Sequence, residues 1–64
     1  MKRRDLIAHI ERHGCSFWRE GANHTVYKNI SKNRKSSVPR HLDIGPWMGR
    51  KICKDLEIPP LRGK

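Results

Sequence analysis

Residues 19–29 read Arg-Glu-Gly-Ala-Asn-His-Thr-Val-Tyr-Lys-Asn, a short turn between two runs of strand-forming residues. Residues 21–23 have the Gly-Ala-Asn composition of a tight turn. β-Branched and aromatic residues, which favour strands, follow the turn in residues 25–29, and aromatic residues precede it in residues 15–19. Because the two runs are so close in sequence, we predict that they pair as an antiparallel hairpin.

A regular ladder through this hairpin assigns the aromatic residues to the two faces of a sheet. It places Phe17 beside Val26 on one face, and Trp18 and Tyr27 on the other. Helices must cover one face of so small a sheet, and we expect them to cover the face with Phe17 and Val26.

Helices are predicted on both sides of the hairpin. Apolar residues recur at helical spacing in residues 3–13, and Gly14 follows, where glycine commonly ends a helix. A second set of apolar residues at four-residue steps predicts a helix over residues 46–57, with a proline in its first turn. Gly49 inside this second helix costs about 1 kcal/mol relative to alanine.

A third strand is predicted between the hairpin and the second helix. Residues 31–35 are polar and basic without a period, so we expect a loop there and a strand over residues 36–40. Pro39 confines this strand to an edge or a strand end. The fold class is therefore α+β: one small α-β-β-β-α domain over residues 1–58, a three-stranded antiparallel sheet with two helices on one face, and a tail over residues 59–64.

Charge is the strongest signal in the composition. The 64 residues include 15 Lys plus Arg against 6 Asp plus Glu, which gives a net charge of +9. Such a basic surface suits nucleic acid, an anionic membrane or an acidic protein, although it could also be only a solvated surface. No apolar run approaches the ~18 residues of a membrane span, no secretory segment is recognisable, and two cysteines make no disulfide framework. We expect a cytoplasmic protein without membrane association.

His24 is the candidate reactive residue. Histidine changes protonation near neutral pH, so it can take a proton from a ribose 2′-hydroxyl or give one to a leaving oxygen. Arg19 could neutralise a phosphate nearby. Trp18 and Tyr27 could stack on unpaired bases or belong to the core. The alternative for His24 is an ordinary surface histidine in a hairpin.

A metal site is not predicted. His9 and His13 lie one helical turn apart and Cys15 follows closely, but no Cys-x-x-Cys pair is present and a fourth ligand has no evident source. We expect these histidines to be solvated and the protein to use neither a metal nor a cofactor.

The order of these motifs resembles the HicA (YcfA-like) family of bacterial type II toxins, which are small mRNA interferases. The family pattern is a helix ending in glycine, an aromatic strand, Arg-x-x-Gly-Ser-His before a second strand, a Val-Pro-x-His motif and a final basic helix. Ala22-Asn23 replaces the Gly-Ser of that pattern, and Glu57 occupies the place of a capping glycine. The matching segments here are His13-Gly14, Phe17-Trp18, Arg19-Glu20-Gly21-Ala22-Asn23-His24, Val26-Tyr27, Val38-Pro39-Arg40-His41 and residues 50–56.

The resemblance implies a fold like that of a double-stranded-RNA-binding domain and a bacterial, cytoplasmic protein. It implies metal-independent endoribonuclease activity on mRNA that blocks translation, with His24 as the catalytic residue. It also implies a HicB-like antitoxin as partner, and contact with DNA only indirectly, through that antitoxin.

Two further hypotheses remain beside this enzymatic one. The same fold could be a non-catalytic RNA-binding module, or a protein-interaction domain whose basic face docks on an acidic partner. His41 is the candidate for a second proton-transfer group, with solvent as the alternative. The residues expected to contact RNA are Trp18, Arg19, Asn23, Tyr27, Lys28, Arg40 and His41.

Overall fold

Two helices pack on one face of a three-stranded antiparallel sheet. A computed structural model describes residues 1–61; residues 62–64, which belong to the predicted tail, lie outside the described residues. The strands are ordered β1-β2-β3, and the predicted α-β-β-β-α order is confirmed. Within residues 1–61 no helix is long and apolar enough to cross a membrane. The elements are α1 (Arg3–Arg12), β1 (Cys15–Glu20), β2 (His24–Asn29), β3 (Arg34–Pro39) and α2 (Pro46–Asp55).

The core lies between the helices and the sheet. Apolar side chains at helical spacing on α1 and α2 face the residues that alternate along the strands, so each element contributes one stripe. Burial of each large aliphatic side chain contributes about 1.5–3 kcal/mol. The buried apolar residues are Leu6, Ile10, Cys15, Tyr27, Val38, Ile44, Ile52, Cys53 and Leu56.

The pairing of β1 with β2 changes register at Trp18. Phe17 lies opposite Tyr27, whereas Arg19 lies opposite Val26, so Trp18 is the extra residue of a β-bulge. The prediction that Phe17 and Val26 share the face covered by the helices, with Tyr27 on the other face, is therefore wrong. It assumed a regular ladder, which has no extra residue. Tyr27 lies under the helices and only 8% of it is exposed, whereas Val26 lies on the other side.

The side of the sheet away from the helices is called the open face. On β2 and β3 its residues alternate with the buried Thr25, Tyr27, Asn29, Ser36 and Val38. On β1 the bulge places Trp18 and Arg19 next to each other on this same side. The open face consists of Trp18, Arg19, His24, Val26, Lys28, Lys35 and Ser37.

β3 begins two residues earlier than predicted. Arg34 and Lys35 pair with Asn29 and Lys28 of β2, so the predicted loop over residues 31–35 and strand over residues 36–40 are both wrong at this boundary. Strand residues that face solvent are commonly polar, which gave this segment the composition of a loop. Pro39 ends the strand, and β3 is an edge strand, as predicted.

Both helices end with a residue in the left-handed region. Gly14 follows α1 with φ of 89°, as the sequence predicts. Glu57 takes this conformation after α2, with φ of 58°, although it is not a glycine. The amides of Glu57 and Ile58 donate to the carbonyl oxygens of Lys54 and Cys53, each at 3.0 Å, which completes a Schellman cap.

Two hydrogen bonds, one buried and one exposed, tie the end of α2 to the sheet. The side-chain amide of Asn29 donates to the carbonyl oxygen of Leu56 at 2.7 Å, and Arg34 Nε donates to that of Asp55 at 3.2 Å. These bonds satisfy carbonyl groups that a helix C-terminus leaves without partners.

Gly49 leaves room for the side chain of Met1, since a Cβ there would lie 2.5 Å from Met1 Cε.

Candidate functional site

His24 is the first residue of β2 and is exposed on the open face. The turn before it is closed by a hydrogen bond from the Gly21 amide to the His24 carbonyl oxygen at 2.7 Å. Neither Ala22 nor Asn23 has a positive φ. The turn therefore does not need the left-handed conformation, which asparagine adopts more easily than most residues. A Cβ at Gly21 would lie 3.2 Å from the His24 carbonyl oxygen, so glycine permits this close approach.

Arg40 anchors the same turn from the end of β3. Its Nη2 donates to the Gly21 carbonyl oxygen at 3.0 Å and also pairs with the Glu20 carboxylate. That carboxylate accepts a second hydrogen bond from Thr25 Oγ1 at 3.3 Å, and Thr25 Oγ1 accepts one from Arg3 at 3.2 Å. The network lies on the helix side of the sheet, behind His24.

Several predicted site residues meet at one end of the sheet. His24 pairs with Pro39, so the segment carrying Arg40 and His41 leaves the sheet beside His24. Asn23 and His41 are exposed there. The structure thus brings together, at one end, predicted residues that are far apart in sequence.

Tyr27 does not join this group. Its ring lies on the helix side in an edge-to-face contact with Phe17, with centroids 6.4 Å apart. Burial, and to a lesser extent the Glu11 carboxylate, raises the pKa of the Tyr27 hydroxyl. Because a ring in this position offers no free face to a base, we do not include Tyr27 in the candidate site.

Trp18 forms the centre of a cationic cluster on the open face. Lys35 Nζ lies 4.1 Å from the ring centroid, the Arg19 guanidinium carbon 5.3 Å and Lys28 Nζ 5.9 Å. The sequence predicts a loop at Lys35, so this residue is absent from the predicted site. The neighbouring Ser36 and Ser37 are both polar, so no apolar alternation in the sequence marks this strand, although the folded strand buries Ser36 and Val38.

Within residues 1–61 no carboxylate lies on the open face. All six Asp and Glu residues of the chain belong to the helices, to the connecting segments or to the helix side of β1. Five of them form ion pairs in those places, with Met1, Arg4, Arg34, Arg40 and Lys51. Among the ion pairs of residues 1–61 none involves Arg19, Lys28 or Lys35, so no carboxylate of these residues neutralises the positive charge of the cluster.

The two histidines at the end of α1 differ, and the prediction that both are solvated is wrong for His9. His9 is buried and its Nε2 lies 2.6 Å from the Pro59 carbonyl oxygen, while its ring contacts that of the exposed His13. This bond ties the segment after α2 to α1. Over the described part of the chain no group of three or more His, Cys, Asp or Glu residues could hold a metal ion.

Comparison with protein families identifies the chain. Residues 3–58 match the family described as the HicA toxin of bacterial toxin–antitoxin systems, which is most of the 64 residues. The protein belongs to the HicA toxin family. Comparison with curated proteins finds no match, and comparison with solved structures finds none.

As a HicA toxin, the protein is the toxin component of a bacterial toxin–antitoxin pair, and its family implies an antitoxin partner. The sheet with helices on one face agrees with the double-stranded-RNA-binding-domain-like fold expected for a HicA toxin. His24, which the resemblance predicts to be the family's motif histidine, lies on the open face of this HicA toxin.

Proposed function

We propose that this HicA toxin is an endoribonuclease that cleaves mRNA and thereby blocks translation, with His24 as its catalytic residue. The observation that supports this most is the position of His24. It is exposed on a basic face to which residues 1–61 contribute no carboxylate, yet its backbone is fixed by Gly21 and, through Gly21, by Arg40. An accessible side chain on a fixed backbone is what general acid–base catalysis needs.

The proposed reaction is an intramolecular transesterification, in which the phosphorus exchanges its bond to the 5′-oxygen of the next nucleotide for a bond to the neighbouring 2′-oxygen. The 2′-hydroxyl loses its proton, its oxygen bonds to phosphorus, and the bond to the 5′-oxygen breaks as that oxygen gains a proton. The products are a 2′,3′-cyclic phosphate and a 5′-hydroxyl. His24 carries out one of these two proton transfers, and His41 or solvent carries out the other.

Cations of the open face support the binding of the substrate backbone. Arg19 and Lys28 share this face with His24 and have no carboxylate partner within residues 1–61, so both can hold phosphates. Asn23 and His41 are exposed at the same end of the sheet as His24. Arg40 was expected to hold a phosphate as well, and its bonds to Glu20 and Gly21 suit a positioning role better.

The proposed partner is a HicB-like antitoxin that sequesters the toxin, and contact with DNA would then come only through that antitoxin. A basic toxin of net charge +9 is matched electrostatically by a partner that carries acidic residues.

The decisive experiment is incubation of the purified protein with end-labelled RNA. We expect His24→Ala to slow scission by about 10²- to 10⁴-fold, which is the usual contribution of a positioned acid or base. His13→Ala is the matched control, because His13 is an exposed histidine at the end of α1. EDTA should leave scission intact.

Three results would contradict the proposal. Scission that persists in a folded His24→Ala variant would remove the catalytic role of that residue. RNA binding without scission would indicate the non-catalytic RNA-binding module. Absence of RNA affinity at moderate salt would indicate a domain that only binds proteins.

A further inference from the structure

We infer that Trp18, Lys28 and Lys35 form a binding platform for an unpaired nucleotide, in which a base stacks on Trp18 and the lysines hold its flanking phosphates. The inference rests on the proposed function, because its ligand is RNA. It adds Lys35 to the binding surface and a preference for unpaired bases.

The β-bulge at Trp18 creates this platform. In a regular strand, consecutive side chains point to opposite faces, so Trp18 and Arg19 could not share one. The register change places both opposite Val26, on the open face. Lys28 of β2 and Lys35 of β3 are cross-strand partners, and both reach the indole ring from the neighbouring strands.

Electrostatics indicate that this platform binds an anion. The two ammonium groups lie 4.1 and 5.9 Å from one ring centroid, and the Arg19 guanidinium lies 5.3 Å from it. All three charges lie within 5.9 Å of the same ring centroid, so their mutual repulsion is only partly screened at ordinary salt concentrations. The quadrupole of the indole ring attracts the cations but adds no negative charge. Binding of phosphates would relieve this repulsion.

The indole indicates that the anion is a nucleic acid rather than an acidic peptide. Carboxylates would use the cations only, whereas a nucleotide combines a phosphate with a base that stacks on an aromatic ring. Trp18 is 43% exposed and lies at the centre of the cations, so one ligand can make both contacts. In a duplex the bases already stack on each other, and only an unpaired base is free to stack on a side chain.

A shallow groove continues the platform around the edge of the sheet. Arg19 and Lys35 line it on the open face, and Met48 and the ion pair of Lys51 with Asp55 line it on α2, with a volume of about 410 Å³. A strand bound at Trp18 can therefore continue past β3, with the unpaired cations on the open-face side of this groove.

The first test measures stacking directly. The Trp47→Phe variant leaves Trp18 as the single tryptophan, and Trp47 is 66% exposed, so this change should be tolerated. The probe is a short single-stranded 2′-O-methyl RNA, which lacks the free 2′-hydroxyl needed for scission. We expect saturable quenching of Trp18 fluorescence. The same strand without bases, or paired with its complement, should quench weakly.

The second test measures affinity for the same probe at several salt concentrations. Trp18→Leu should weaken binding by about 5- to 150-fold, the range measured for loss of one aromatic stacking contact. Lys35→Gln should reduce the slope of log affinity against log salt by about 0.7, the value for one phosphate contact to a single strand. Lys54→Gln, on the exposed side of α2, is the matched control and should leave the slope unchanged. Circular dichroism verifies that each variant is folded.

The outcomes separate this inference from the proposed function. Equal quenching by base-free and base-containing strands, or parental affinity of folded Trp18→Leu and Lys35→Gln variants, would overturn the platform even if RNA is cleaved. Loss of antitoxin binding alone in these variants would make the surface a protein contact and also overturn it. Specific binding of the single strand without scission of natural RNA would uphold the platform and contradict the proposed enzymatic function.

Discussion

Gly21 and His24 are held together at the first turn by one short contact: the Gly21 amide donates to the His24 carbonyl oxygen at 2.7 Å. A Cβ at Gly21 would lie 3.2 Å from the same oxygen, which is closer than about nine in ten Cβ contacts in proteins. Because the neighbouring atom belongs to the backbone, any side chain at position 21 must displace His24 itself.

The first prediction concerns this displacement. Gly21→Ala should slow RNA scission on the order of tenfold, because shifts of a fraction of an ångström at a reacting group are costly in rate. Single-turnover rates at saturating RNA give the measurement. Ala22→Gly changes the exposed part of the same turn and should leave the rate close to that of the parent. Parental scission in Gly21→Ala would show that the position of His24 is not limiting.

The second prediction separates two roles for Arg40. If Arg40 anchors the turn through Glu20 and Gly21, Arg40→Gln should slow scission without changing the salt dependence of RNA binding. Glu20→Gln should act in the same direction, and the double variant should be little worse than either single one, since the residues act as one unit. A salt slope reduced by about 0.7 would instead establish a phosphate contact.

The third prediction concerns the buried amide of Asn29, which is only 2% exposed. Asn29→Ala removes its hydrogen bond to the Leu56 carbonyl oxygen and leaves that carbonyl without a partner. The free energy of unfolding should fall by about 1–3 kcal/mol. Chemical denaturation measures it. Ser31→Ala, which removes the exposed partner of the same amide, is the control and should cost less.

The fourth prediction concerns the left-handed conformation of Glu57. Glycine adopts φ near 58° without the steric penalty of about 1–2 kcal/mol that other residues meet there. Glu57→Gly should therefore stabilise the protein by about 1 kcal/mol, reduced by the loss of a surface ion pair with Arg34. Glu57→Ala loses the ion pair but keeps the strained backbone. A melting temperature of Glu57→Gly no higher than that of Glu57→Ala would contradict this account.

The fifth prediction concerns stability at alkaline pH. Burial raises the pKa of the Cys15 and Cys53 thiols above 9.0, and that of the Tyr27 hydroxyl above 10.0. The folded protein therefore keeps protons that the unfolded chain releases, and stability falls as pH rises above these values. Urea denaturation under reducing conditions, at pH values from below 9.0 upwards, should show this decline. Tyr27→Phe should make it shallower above 10.0 and have little effect near neutral pH.

The element order was predictable because each helix carries its own apolar period and its own end signals. The stripe in residues 3–13 and Gly14 marked α1, and the prolines on either side of the second stripe marked α2. These signals depend only on residues within each helix and next to its ends, so they do not require knowledge of the tertiary packing.

The faces of the sheet were not predictable in the same way. The bulge at Trp18 adds a residue that the alternation of β1 does not reveal, and the contacts of its ring with lysines of two other strands depend on that bulge. The strand position of Lys35 was not predictable for a related reason: a strand segment that faces solvent is polar and therefore resembles a loop in composition. The position of His24 was local and predictable, whereas the platform beside it is a property of the assembled sheet.

The separation of carboxylates from the open face has a consequence for the way the toxin meets its target. The three cations of the open face keep their full charge, whereas five of the six acidic side chains elsewhere are paired with cations. At physiological ionic strength the field of these cations extends over about 8 Å, so it attracts a polyanion in front of the open face. Association should then be faster than for an uncharged surface, by about 10- to 1,000-fold at low salt, with dissociation less affected. This attraction acts before any side chain of the protein touches the strand.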